Sequence, residues 1–128
     1  MSAIARYFKS IGKEVSGYDK TPTPLTDELI DEGISVHFED NLSLAEKIYS
    51  DPDKKGNVLV VYTPAIPKDH TEWNFFKDNQ YELKKRSEVL GMITKSSYTI
   101  GIAGTHGKTT TSSMVAHILK SAGLNCTA

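Results

Sequence analysis

Apolar positions along the chain fall into helical spacings that alternate with short apolar runs bounded by turn residues. Ile4, Phe8 and Ile11 recur at helical spacing and predict a helix from Ser2 to Gly12, with Gly12 suiting its end. Glu14 to Tyr18 reads as a short strand closed by Asp19. Thr23-Pro24 opens a second helix, with Thr23 as cap and Pro24 in the first turn. Leu25, Leu29 and Ile30 are expected to face inward along it, and Gly33 to end it. Ile34 to Phe38 is the next strand, and Leu42 to Tyr49 a short helix. The polar stretch SDPDKKGN that follows is expected to be a surface loop.

Val58 to Tyr62 (VLVVY) is an unbroken apolar run, the pattern of a parallel strand covered on both faces, and is expected to be the most buried strand. A helix carrying Trp73, Phe75 and Phe76 as packing residues follows, then a strand at Tyr81 to Lys84 and a helix through Glu88 to Ile93. Tyr98 to Ala103 reads as a further buried strand, and Lys108 to Ala122 as a helix stopped by Gly123. Met114, Val115, Ile118 and Leu119 share one face of that helix. This alternation implies an α/β architecture with a parallel sheet.

Composition narrows the class. The 128 residues suffice for one modest domain with its own core. Charged residues make up 24% and the formal net charge is -1, so no basic stripe argues for nucleic acid. Hydrophobic content of 38% without a long apolar run argues against a membrane span. The opening MSAIARYFKSIGKE has no signal-peptide pattern, so a soluble cytoplasmic protein is expected. Cys126 is the only cysteine, which rules out a disulfide or a cysteine-based metal site within one chain.

The chemistry concentrates in Gly104 to Thr110 (GTHGKTT). A strand, YTIGIA, delivers the chain to a turn where Gly104 and Gly107 let backbone amides approach an anion. The following helix aims its amide-rich, partly positive end at the same place. Lys108 supplies a full charge, and the Thr109 hydroxyl suits a phosphate-bound magnesium. Thr109, Thr110, Thr111, Ser112 and Ser113 are mediocre helix formers, a local cost unless their hydroxyls bind something. The competing reading is an ordinary strand-to-helix turn with an exposed lysine and capping hydroxyls. Ile102 stands where the general phosphate loop has a glycine, so the spacing fits a G-T-x-G-K-T variant.

That variant resembles the ATP-binding loop of the Mur ligase family, which builds the peptide of the bacterial cell-wall precursor. The resemblance continues through SGYD, LTDELIDEGISVHF, VVYTPAIP and LKKRSEVLG, so it covers nearly the whole chain. His106, TPAIP and KKRSEVLG are similar to the branch that joins L-alanine to UDP-N-acetylmuramate. The resemblance implies ATP and magnesium as cofactors, with Gly104, Thr105, His106, Gly107, Lys108, Thr109 and Thr110 holding ATP. It further implies Lys108 as the catalytic residue and Thr109 as the magnesium ligand. A tripeptide-adding recycling ligase of the same family, and a nucleotide-binding module without chemistry, remain alternatives.

The same resemblance implies a Rossmann-like UDP-sugar domain over residues 1–96 and the start of a P-loop ATP-binding domain over 97–128. Asp19 sits where a dinucleotide-type fold carries the acid at the end of its second strand. Asp19, Thr63 and Arg86 are the residues expected near the UDP-sugar. Each has a plainer reading: a strand-end turn, a turn cap and a solvated charge respectively. Met1-Ser2-Ala3-Ile4-Ala5 matches the family's helix after a glycine-rich turn, so a first strand and that turn are expected to precede residue 1. Without that strand two inner edges would be left unpaired, and Tyr98 to Ala103 is the candidate to fill the gap. Asp69, His70 and Glu72 read as a solvated first turn rather than a metal site, and His37 and His117 show no partner pattern.

Overall fold

A computed structural model describes residues 1–49, 51, 55–124 and 126. Two compact units divide at Ile93 and Thr94. The first contains α1 (Ser2–Ser10), β1 (Ser16–Tyr18), α2 (Pro24–Asp31), β2 (Ser35–His37), α3 (Leu42–Tyr49), β3 (Leu59–Tyr62), α4 (Thr71–Asp78) and β4 (Glu82–Lys85). Helix α5 (Arg86–Lys95) crosses the division, and α6 (Lys108–Ser121) belongs to the second unit. The chain is therefore mixed α/β with parallel pairing, as the alternation predicts.

Local chemistry sets the helix ends. Thr23 caps α2 through a reciprocal box: its hydroxyl accepts from the Thr26 amide while Thr26 Oγ1 accepts from the Thr23 amide. Glu88 reaches back to accept the Lys85 amide at 2.6 Å, one half of such a box at the start of α5. Leu29 is buried, but Leu25 and Ile30 are exposed, contrary to the sequence reading. The reason is the box itself. It turns Thr26 into the interior, and the buried face becomes Thr26 and Leu29, three residues apart.

The strands form two parallel pairs rather than one sheet. β1 pairs with β2, Tyr18 opposite His37, and β3 pairs with β4, Tyr62 opposite Lys85. VLVVY is the one described strand without an exposed residue, as expected, but it is half-buried rather than fully covered, because β4 is its one ladder neighbour among the described residues. Residues 98–103 form no strand, with Tyr98 96% and Ile100 49% exposed. A strand exists through its ladder, and the second unit offers no other strand among its described residues. SDPDKKGN lies in large part outside the described residues.

Side chains join the two pairs. Asp40, after β2, accepts the Thr71 amide at 2.7 Å, the Thr71 hydroxyl at 2.8 Å and the Glu72 amide at 3.1 Å. Glu72 answers from α4, accepting the Asn41 amide at 2.9 Å and His37 Nε2 at 2.8 Å. An aromatic group backs this clasp: Phe76 meets Tyr49 at 5.3 Å and Tyr81 at 5.2 Å, and the Tyr81 hydroxyl donates to the Tyr49 carbonyl. Trp73 packs on Tyr62 at 4.4 Å, so these aromatics serve packing as expected. On the other side, Arg6 of α1 binds Glu32 at 2.8 Å and Glu28 at 3.0 Å beside α2. Lys9 donates to the Gly33 carbonyl at 2.8 Å.

Burial raises the Asp40 carboxyl, but the hydrogen bonds from the Thr71 and Glu72 amides and the Thr71 hydroxyl outweigh it and leave its pKa below the ordinary value. Its contribution is complete above the usual aspartate range and is lost as pH falls through the lowered pKa. Asp40→Asn is expected to cost about 1–2 kcal/mol in urea unfolding at pH 7. The gap to wild type should narrow below about pH 3. The hydrogen bond from Arg6 likewise holds Glu32 below its ordinary pKa. Both partners are exposed, so Glu32→Gln should lower the melting temperature slightly at pH 7, less in high salt, and progressively less as pH falls through the lowered Glu32 pKa.

Candidate functional site

Residues 101–107 run as a loop into α6. Gly107 precedes the helix at φ 76, a left-handed conformation that side chains resist, so glycine is required there. A Cβ at Gly104 would stand 3.3 Å from the His106 carbonyl oxygen, so the turn is tight at that point as well. Helix α6 has no side-chain cap and no acid in its first turn, and its first backbone bond runs from the Thr111 amide to the Gly107 carbonyl. Its leading amides and positive end therefore face outward, suited to an anion. Lys108 Nζ donates to the Gly104 carbonyl at 2.7 Å and to Thr105 at 3.4 Å.

Every group presented here toward a phosphate is a donor or a hydroxyl. Thr105, His106, Thr109 and Thr110 are exposed. Thr109, Thr110, Ser113, Met114 and His117 line a shallow surface along α6. One hydroxyl of the run is turned inward: Ser112 Oγ donates to the Lys108 carbonyl at 2.8 Å, closing on its own helix. The donor set fits a nucleotide phosphate, and the exposed Thr109 hydroxyl fits its magnesium.

The three residues expected near a UDP-sugar each stand at the C-terminal end of a different parallel strand. Asp19 follows β1, where its amide extends the ladder to the His37 carbonyl and its carboxylate accepts the Thr21 amide at 3.1 Å. That bond is the local turn of the plainer reading, and the side chain is exposed. Thr63 follows β3, its carbonyl closing a turn to the Ile66 amide. Arg86 is the exposed first residue of α5, directly after β4. His37, Phe38, Glu39, Asn41 and Leu44 line a hollow at the end of β2. C-terminal strand ends are where open α/β sheets take their ligands.

Sequence reasoning missed the network behind these ends. His70 and Glu72 are each only 7% exposed, not a solvated first turn, because Asp40 and the α3 start enclose them. His37 has a partner after all, Glu72. The His70 ring packs at 78° on Tyr18, centroids 4.6 Å apart, and so brings the end of β1 to the start of α4. Its Nδ1 lies 3.3 Å from the Trp73 amide and 3.1 Å from Asp40, and one nitrogen cannot accept from the first and donate to the second at once. Accepting from Trp73 requires the neutral ring with its proton on Nε2, an atom that is buried without a hydrogen-bond partner among the described residues. The one signal available was a carboxylate and a helix start joined only by folding, 31 residues apart.

The model of the Mur ligase family, catalytic domain, matches residues 1–98. The whole chain is 59% identical to a UDP-N-acetylmuramate–L-alanine ligase of Flavobacterium psychrophilum, of which it spans 28%. It is 56% identical to the ligase of the same name from Cytophaga hutchinsonii and 54% identical to that of Parabacteroides distasonis, spanning 27% of each. The chain thus covers little more than a quarter of the length of these relatives. A family match over residues 1–98, with a relative 59% identical over all 128 residues, shows that this chain belongs to the Mur ligase family.

Proposed function

We propose that the protein carrying this chain ligates L-alanine to UDP-N-acetylmuramate at the expense of ATP, in the synthesis of the peptidoglycan precursor. The observation that carries the reading is the open N-terminus of α6, entered through Gly107 and overhung by Lys108, in a chain so similar to ligases of that name. A carboxylate is a poor acyl donor. Moving the γ-phosphoryl group of ATP onto the muramate carboxylate releases ADP and creates an acyl phosphate. The alanine amine then attacks the acyl carbon, and inorganic phosphate leaves as the amide forms and the amine loses its proton.

In this scheme the loop amides and Lys108 bind and neutralise phosphate charge, and positioning supplies most of the assistance. Magnesium, held by the Thr109 hydroxyl, would screen the phosphates when bound. Gly104, Thr105, His106 and Thr110 would shape the rest of the cradle, while Asp19, Thr63 and Arg86 would meet the UDP-sugar at the strand ends. Ligation would proceed in the cytoplasm. No helix among the described residues is long and apolar enough to cross a membrane. The 128 residues alone are proposed to be inactive, since the scheme also needs a carboxylate for magnesium, an adenine pocket and an amino-acid site.

The test uses the full-length protein. Phosphate release should require ATP, UDP-N-acetylmuramate and L-alanine together, and Lys108→Met should reduce kcat at least about 100-fold. A preference for a tripeptide over alanine would move the assignment to the recycling branch of the family. Phosphate release by the 128-residue chain with all three substrates would overturn the proposed inactivity.

A further inference from the structure

We propose that His70 is a proton-operated switch at the start of α4: neutral, its ring caps the helix through the Trp73 amide, and protonated, it gives up that cap and donates to Asp40. The observation behind it is that one atom, Nδ1, lies 3.3 Å from the Trp73 amide nitrogen and 3.1 Å from Asp40 Oδ1. Without a proton Nδ1 accepts from the amide, and with one it donates to the carboxylate, so the proton selects the partner. In the neutral ring, a proton on Nε2 leaves only that buried atom without a partner. A proton on Nδ1 would strand both Nε2 and the Trp73 amide, while Asp40 already has three donors from Thr71 and Glu72. The capping form is therefore the resting one. The inference involves no ligand and stands apart from the ligase reading.

Opposing effects keep the two states close. Histidine is the side chain whose ordinary titration falls between about pH 5 and 8. A proton on Nδ1 gains a charge-assisted bond to Asp40, and this offsets the lost cap and the repulsion of a cation at a helix N-terminus. Asp40 Oδ1 also holds the Thr71 hydroxyl at 2.8 Å and the Glu72 amide at 3.1 Å, so the new donor competes with them inside the clasp. The other titratable groups around the ring, among the described residues, are Tyr18 of β1, Asp69 and Glu72 near it in sequence, and His37 of β2. His37 meets both Tyr18 and Glu72. Its Nε2 donates to Glu72 in the neutral form that makes this bond and in the cation alike, so a proton does not change its partner. Only His70 exchanges one partner for another. Through Asp40 and Tyr18, the exchange takes place directly behind the ends of β2 and β1.

The test is nuclear magnetic resonance on the ligand-free full-length protein, with isotope-labelled histidine rings and tryptophan amides, from about pH 8.5 down to about pH 5.5. Wild type is compared with His70→Asn and His37→Gln. Asparagine caps helices well and does not titrate, so it holds the Trp73 amide at every pH. At high pH the His70 ring should carry its proton on Nε2 alone. As Nδ1 gains a proton, the protection of the Trp73 amide, relative to its unstructured exchange rate at each pH, should fall about five- to ten-fold along the same curve. His37→Gln should reproduce that fall, and His70→Asn should show none. A proton on Nδ1 at high pH, Trp73 protection that does not follow the His70 titration, or the same fall in His70→Asn overturns the proposal. If His70→Asn does not fold, the wild type decides: a fall that follows the His70 ring upholds the proposal, and a fall that follows another group, or none, overturns it.

Discussion

The exchange of carboxylates between Asp40 and Glu72 is the interaction on which the first unit depends. Each carboxylate takes backbone amides from the other's segment, and Glu72 adds His37. The two strand pairs share no ladder, so this clasp and the aromatic packing around Tyr49, Phe76 and Tyr81 do the joining. A buried carboxylate is costly unless its lone pairs are filled; the buried Glu72 meets its donors at 2.8 and 2.9 Å, and the exposed Asp40 meets its own at 2.7 to 3.1 Å. The result fixes the end of β2 against the start of α4. Tyr18 against His70 then places the end of β1 at the same spot.

Two helix starts show how one chain treats the same physical problem differently. The leading amides of α4 are all satisfied: His70 bonds the Pro67 carbonyl, Thr71 and Glu72 bond Asp40, and Trp73 bonds His70. Such an end is closed and structural. Helix α6 receives a glycine and a lysine instead of a cap, and its end remains open. Closed ends stabilise the scaffold, and an open end awaits an anion.

Helices were legible because their signals are local. Thr23-Pro24 and the span Leu42–Tyr49 were readable from a few residues each. The strands after Glu14, Ile34 and Val58 were legible as elements, but their burial was not, since burial depends on neighbours far along the chain. YTIGIA has strand-like residues and no partner among those described, so it forms none. Leu25 and Ile30 misled because the Thr23–Thr26 box rotates α2. The turn at Gly104 and Gly107 and the helix start at Lys108 were legible because their signals lie within a few consecutive residues. Asp40, His70 and Glu72 were not, because nothing in a solvated-looking turn announces a carboxylate from 31 residues upstream.

If these strand ends take a UDP-sugar, binding must order the backbone that β1, β2 and β3 present there. The direct measurement is amide hydrogen exchange across the full-length protein with and without UDP-N-acetylmuramate, in the absence of ATP. The expected result is added protection at residues 18–21, 37–41 and 62–66, with residues 101–110 unchanged. Protection that appears only at residues 101–110, or nowhere in the first unit, would contradict it.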